Sequence, residues 1–398
     1  MQAHADLVVV GAGPAGTAAA MTAQARGLDV VVLDRATFPR DKTCGDGLTA
    51  AALRLLERFG VDVPRLPAAA VRTVVVVGPD RWQVELPLPD AGLHAAVVAR
   101  ADLDAALVAR AQALGVTVHE GVGVDGLDED DDALVVRTGD GGTVRTRALI
   151  AADGHYSSVR RARGTTGADL GTWHAVRQYY RHVGDPRLWV IFERDLLPGY
   201  AWVFPLPGGR ANVGFGVLRG AGHDGHRLAA LWPELLTRDP MRAALGPRAE
   251  PEGRHRAWPI PSVYASDRLT DGRVLYAGDA AGVVDPMTGE GIAQAIESGA
   301  LAAEAVAGGG APAAIAERYR RAVDAALGRD LRFAAALSRV LRSPIGATAA
   351  IRVAGATPWT RRHFARWMFE DYPRAVVFTP DRWRPPLFTP AGAYRPVG

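Results

Sequence analysis

Asp6-Leu-Val-Val-Val-Gly11-Ala-Gly13-Pro-Ala-Gly16 decides how this chain of 398 residues begins to fold. Asp6 to Val10 is a short apolar run ending in glycine, the pattern of a parallel strand buried on both faces. The Ala-rich stretch Pro14 to Arg26 reads as a helix, with Pro14 in the first turn, where a missing N–H costs nothing. Val30-Val-Val-Leu33 is a second strand, so the three make a βαβ unit. Gly11 permits a tight turn, Gly13 lets the backbone approach a pyrophosphate, and Gly16 lets the helix lie close on the strand. The helix start at Pro14 and Ala15 then points free N–H groups and the positive end of its dipole at phosphates. Asp34, with Arg35 beside it, stands where an acid accepts hydrogen bonds from an adenosine ribose.

That motif predicts a dinucleotide and leaves NAD and FAD open. Three further segments favour FAD. Arg100 opens a helix that runs to Leu114 and could pair with the pyrophosphate or a ribityl chain. Asp153-Gly154 closes the strand Ala148–Ala151. A strand at Val274-Leu-Tyr-Ala277 ends in Gly278-Asp279 and is followed by Asp285-Pro286-Met-Thr-Gly289-Glu-Gly291-Ile292. An Asp at a strand end beside a helix N-terminus can bind a ribityl hydroxyl or serve as a plain helix cap. The Gly-rich turn after it can offer N–H groups to the electron-rich edge of a reduced flavin.

Between these segments the periodicity changes. Val71–Leu86 and His174–Leu218 alternate polar and apolar residues, as antiparallel strands with one wet face do. The expected architecture is α/β (α+β overall): a Rossmann-like FAD-binding domain with an inserted antiparallel-sheet substrate domain and a helical C-terminal region. The FAD-binding part would take residues 1–70, 98–165 and 270–330, and the sheet domain 71–97 and 166–269. Residues 331–398 would form the helical region, helical to about Ile351, then a basic, Pro-rich tail extended from Pro373. A hairpin is expected around Asp128–Asp132 and Gly139–Gly142, ahead of the strand at Ala148.

Composition narrows the setting. There is no run of about 18 apolar residues, so no transmembrane helix is expected, and a first strand at Asp6 leaves no room for a signal peptide. Cys44 is the single cysteine, which excludes an intrachain disulfide and a cysteine zinc cluster. A cytoplasmic protein without a metal is the expectation. From Leu331 onward there are 11 arginines against three acids (Glu370, Asp371, Asp381), in a chain of net charge +3. This basic tail, interleaved with Trp359, Phe364, Trp367, Met368, Phe369 and Trp383, could rest on an anionic membrane surface. Equally, the aromatics could pack inward while the arginines face water. No nucleic-acid-binding motif is present.

In their order, these segments resemble the para-hydroxybenzoate hydroxylase-like flavoprotein superfamily, and within it the geranylgeranyl reductase family. Two stretches carry the closer resemblance. Lys42-Thr-Cys44-Gly45-Asp-Gly47 is similar to the family's Lys-x-Cys-Gly-x-Gly loop beside the flavin. Tyr200-Ala-Trp202-Val-Phe204-Pro205 is similar to its Tyr-x-Trp-x-Phe-Pro signature. The likeness spans about residues 5 to 345. Leu197 stands where the family's proline usually does, and the segment from Arg163 to Leu196 is short, which speaks against a long-isoprenoid pocket.

The resemblance implies FAD as cofactor, Lys42, Cys44 and Gly45 beside it, and Tyr200, Trp202 and Cys44 at the reacting centre. Tyr200, Trp202 and Phe204 share one strand face; with Tyr179 they would wall a pocket for a small apolar substrate. Cys44 could be a buried small residue or a thiol near the flavin. Two activities follow. Reduced flavin could pass hydride to a C=C bond of a prenyl or polyketide/terpenoid-like compound, with Tyr200, Tyr179 or Tyr180 as proton source. Alternatively, a monooxygenase would capture O2 as a flavin C4a-hydroperoxide and hydroxylate or epoxidise its substrate. NAD(P)H or an electron-carrier protein would be the reductant. A halogenase needs a free catalytic lysine, and the chain's one lysine is Lys42, in the flavin loop.

Overall fold

A computed structural model describes residues 4–165, 172–219, 225–369, 375–382 and 392–395. The βαβ unit forms as the sequence predicts. His4–Val10 and Val30–Asp34 are parallel strands, and Pro14–Ala25 is the helix between them. Leu7, Val8 and Val9 have no solvent exposure, which is why the run carries no polar alternation. Thr117–Glu120 adds to Val30–Asp34 on one side, and Thr143–Ala151 then Val274–Tyr276 add to His4–Val10 on the other, all parallel. The hairpin strand and the buried strand expected at Ala148 are one nine-residue strand. Its first half pairs antiparallel with Leu134–Thr138, and its apolar second half enters the parallel sheet.

Helix Ile292–Ala307 packs on Pro14–Ala25. Contact is close because Gly299 has no side chain: a Cβ there would lie 2.0 Å from the carbonyl oxygen of Ala15. This packing brings the glycine turn at residue 11 and the turn before residue 292 to one end of the sheet.

The two alternating stretches meet in a second sheet of seven strands. Its order is Glu250–Ile260, Trp173–Arg181, Arg210–Leu218, Ala201–Leu206, Leu188–Ile191, Thr73–Val77, Gln83–Pro87. Every pair is antiparallel except Leu188–Ile191 with Thr73–Val77, which is parallel. One face carries Val176, Tyr180, Val203, Val213 and Phe215 and is covered by helices Gly225–Thr237 and Asp239–Leu245. The other face looks toward the dinucleotide fold. A short third sheet, of Gly47–Thr49, Ala95–Val98 and Ala68–Ala70, joins the two.

Helical structure continues past Ile351. After Arg329–Leu341 come Pro344–Gly355 and Pro358–Phe369, each with its proline in the first turn, where it starts a helix rather than ending one. The expected extended tail departs likewise: Val376–Phe378 and Pro380–Arg382 are single 3₁₀ turns. Farther on, Ala393 pairs with Leu93, and the N–H of Tyr394 donates to Glu57 at 2.8 Å. Trp383 and most of the remaining tail lie outside the described residues. Among the described residues no helix is long and apolar enough to cross a membrane, and no group of three His, Cys, Asp or Glu could hold a metal ion.

Candidate functional site

A cavity of ≈ 880 Å³ runs between the parallel sheet and the seven-stranded sheet. At one end lies the glycine turn. Gly11 sits at φ +100°, and a Cβ on it would meet the Ala152 carbonyl oxygen at 2.4 Å, so no other residue fits. Gly16 does not line the cavity; a Cβ there would strike the Gly11 carbonyl, so its role is to seat the helix under the turn. Asp34 lines the cavity and accepts from the N–H groups of Ala12 at 2.7 Å and Ala36 at 2.8 Å. It therefore shapes the turn as well as lining the cavity, next to Arg35.

Two guanidinium groups flank Gly13: a Cβ there would be 3.6 Å from Arg40 Nη2 and 3.8 Å from Arg100 Nη2. Both are held by one carboxylate. Arg100 donates to both oxygens of Asp104 at 2.8 Å, and Arg40 lies 3.0 Å from the same group. The Asp104 side chain has no solvent exposure. Burial opposes the charge on Arg100, but Asp104 and then Cys44 outweigh it and hold the group protonated well above its ordinary range. Two cations on one acid leave a positive charge at a helix N-terminus, an arrangement suited to a pyrophosphate. Sequence reading found Arg100 and missed Arg40 and Asp104, though Asp104 is the i+4 neighbour of Arg100.

The loop around Cys44 is pinned to the second sheet. The Asn212 amide donates to the carbonyl oxygen of Cys44 and to Asp46 Oδ2, both at 2.8 Å. The Tyr179 hydroxyl donates to the same Asp46 oxygen at 2.7 Å. Asp46 has no solvent exposure and sits at φ +64°, which an aspartate tolerates better than most residues. Burial raises its pKa to about 6, against the bonds from Asn212 and Tyr179 and the charge of Arg177. Gly45 and Gly47 lie under the ring of Phe204, where Cβ atoms would come within 3.5 and 3.2 Å. Lys42 lies 3.7 Å from Asp279 and 4.4 Å from the centre of the Trp258 ring; burial lowers its pKa while Asp279 resists.

The third edge is the segment 278–292. Gly278, Asp279, Pro286, Gly289, Gly291 and Ile292 all line the cavity, as Asp153 does across from them. Asp285 is structural: its Oδ1 accepts from the N–H groups of Met287 at 2.9 Å and Thr288 at 2.8 Å. Asp153 caps the short helix Ser158–Ala162 with Oδ2, bonding Ser158 at 2.7 and 2.9 Å and Val159 at 3.2 Å. Its buried Oδ1 has no hydrogen-bond partner among the described residues. That bare acceptor, the side-chain-free wall at Gly13, Gly278 and Gly291, and the paired arginines fit an FAD molecule.

On the sheet side, Tyr200, Trp202 and Phe204 face the cavity as their alternation predicts. Tyr179 does not line it. It stands on the same strand face as Trp173, Ala175 and Arg177, one step beyond the cavity's end, and reaches the site through Asp46. Tyr180 points to the opposite face and packs among the residues under the helices. The Tyr200 hydroxyl donates to the backbone carbonyl of Thr288, and Thr49 bonds Glu290, so both parts of the site hold the 285–291 turn. The Trp202 N–H donates to Asn212 at 3.0 Å. The far wall is apolar and comes from the C-terminal helices: Leu337, Leu341, Ala347, Ile351, Phe364 and Trp367. Trp359 is 69 % exposed. Of the tail's large apolar side chains, Phe364, Trp367, Met368 and Phe369 thus face the cavity and Trp359 faces outward.

A model of the FAD binding domain family matches residues 4–326. The chain is 36 % identical over 393 residues to a menaquinone reductase of Mycolicibacterium smegmatis, covering 89 % of this chain and 92 % of that one. It is 33 % identical over 321 residues to digeranylgeranylglycerophospholipid reductase 1 of Methanopyrus kandleri, covering 75 % and 79 %. The fold matches the crystal structure of a geranylgeranyl bacteriochlorophyll reductase-like protein from Thermoplasma acidophilum with a TM-score of 0.79. That match has 23 % identity and covers 96 % of this chain and all of the other.

Proposed function

The chain belongs to the FAD binding domain family, in its geranylgeranyl reductase-like branch, and from that premise we propose that this FAD-dependent oxidoreductase saturates C=C bonds of an apolar, prenyl-bearing substrate. The observation that carries the reading is the continuity of one cavity, from the phosphate end at Gly13 to an apolar chamber walled by Trp202, Phe204, Leu337, Ile351 and Trp367. Bound FAD, once reduced, supplies hydride. The chain's own residues do the rest. Arg40 and Arg100 neutralise the pyrophosphate, the Cys44–Gly47 loop and the 285–291 turn fix the ring system, and the aromatic strand holds the alkene and keeps water out.

A proton must accompany the hydride. The Tyr200 hydroxyl is committed to Thr288, and Tyr180 lies on the wrong face of its sheet. Burial and the neighbouring Asp46 push the Tyr179 hydroxyl up, so Tyr179 keeps its proton at neutral pH, where Asp46, at about 6, has mostly lost its own and can accept one. We assign this pair the proton supply. Electrons reach the flavin from NAD(P)H on a transient visit or from a carrier protein.

The test is turnover of the dithionite-reduced holoenzyme under argon with prenylated quinones and prenyl lipids. The expected product gains two mass units per bond reduced. Product that forms only in air and contains a new oxygen atom would make the enzyme a monooxygenase instead.

A further inference from the structure

Helix Pro344–Gly355 is apolar on two faces. Ala347 and Ile351 are buried and line the cavity wall. On the outside stand Ile345, Ala349 and Val353, spaced four residues apart, with Ile345 83 % and Val353 66 % exposed. A helix apolar on opposite faces belongs in a core or a membrane, and among the described residues nothing covers this outer one. The flanking helices carry two more exposed apolar side chains, Val340, 54 % exposed and beside Gly346, and Trp359. These four are half of the eight large hydrophobic residues exposed among the described residues.

The charge carried by these helices themselves, from Leu331 on, has one sign. Residues 331–369 contain seven arginines and no acid. Arg332 and Arg352 are paired with Asp324 and Asp80 from elsewhere in the chain. Arg339 and Arg342, exposed on either side of Val340 and Leu341, have no ion-pair partner among the described residues. Arg361 is exposed two residues from Trp359. Helices that bury apolar side chains and a tryptophan at the headgroup level, with arginines beside them, suit an anionic lipid surface. A symmetric contact between two copies would instead set Arg339 and Arg342 against one another, and residues 331–369 offer no acid to balance them.

We propose that this face, centred on Ile345 and Val353, docks on an anionic phospholipid bilayer, and that the apolar substrate enters the cavity from the lipid past Ala350. Ala350 is both exposed and part of the cavity wall, so the cavity reaches the surface on this helix. The route rests on the reading of the substrate as apolar; the docking does not.

Flotation of the full-length, FAD-loaded protein with vesicles tests the docking. Vesicles of phosphatidylglycerol and phosphatidylcholine should bind it, and more weakly as salt rises; phosphatidylcholine alone should bind it at least tenfold less. The double variants Ile345→Glu/Val353→Glu and Arg339→Glu/Arg342→Glu should each lose roughly tenfold or more in vesicle affinity. Both should keep the flavin absorbance, which shows that they fold. The proposal is overturned if the folded parent ignores phosphatidylglycerol vesicles, or if the variants bind as the parent does. It is equally overturned if the parent is a dimer that Ile345→Glu/Val353→Glu splits. Binding is read without turnover, so vesicle capture by a protein that reduces no alkene would fail the functional reading and leave the docking intact.

Discussion

The indole of Trp202 reaches across its neighbouring strand to Asn212, donating its N–H to the amide oxygen at 3.0 Å. It can do so because the residue facing it in the pair is Gly214, where a Cβ would lie 2.4 Å from the ring. Asn212 then passes the constraint on, through its two bonds to Cys44 and Asp46. A tryptophan of the aromatic wall is thereby coupled to the cofactor loop through one amide.

Asn212→Ala removes that link and leaves buried polar groups unpaired on both sides, a cost of about 2–3 kcal/mol. The expected result is a lower denaturant midpoint and FAD affinity weakened at least tenfold, read by fluorescence titration. Trp202→Phe should show a smaller loss of FAD affinity, because the loop bonds survive.

Asp46 makes stability depend on pH. Its carboxyl titrates at about 6 in the fold against 3.8 in an unfolded chain. Below pH 4 both states hold the proton and there is no penalty. As pH rises from 4 through 6 the fold must give up a proton it prefers to keep, losing about 3 kcal/mol in all. Asp46→Asn does not titrate and suits the positive φ. It should therefore gain stability over the parent across that window and keep the gain at pH 8. Equal pH profiles for the two proteins in chemical denaturation would contradict the assignment.

Asp104 answers for two cations, the buried Arg100 and the partly buried Arg40. Asp104→Asn leaves Arg40 and Arg100 facing each other with no charge between them, at a cost of about 3–5 kcal/mol. FAD carries a pyrophosphate that partly restores the balance, so excess FAD should raise the melting temperature of the variant by more than it raises that of the parent.

Tyr200 separates positioning from proton transfer. Because its hydroxyl donates to Thr288, Tyr200→Phe should loosen the 285–291 turn and raise the FAD dissociation constant several-fold. The pH dependence of kcat should stay that of the parent. A profile that loses one limb would make Tyr200 the proton donor.

Much of this was legible in the chain. Gly11, Gly13, Gly16 and Asp34 are a local signal, since a turn, a helix start and a strand end are all set within 30 residues. The aromatic strand was legible because alternation alone fixes which side chains share a face. The groups that finish the site were not. Asn212 and Asp46 are 166 residues apart and meet only when two sheets close on each other. Tyr179 has the right residue type and the right face, yet the cavity stops short of it. The helix beyond Ile351 was missed because Pro358 is compatible with ending a helix or beginning one; packing decides.

Lys42 and Cys44 are the only lysine and the only cysteine in the chain, and both stand in the cavity wall two positions apart. Reagents for amines and thiols, which ordinarily scatter dye over a protein's exterior, have a single side-chain target each, and both targets sit in the same chamber. A maleimide probe would act as a gauge of what fills that chamber: quick to attach while the chamber stands open, slow once it is occupied.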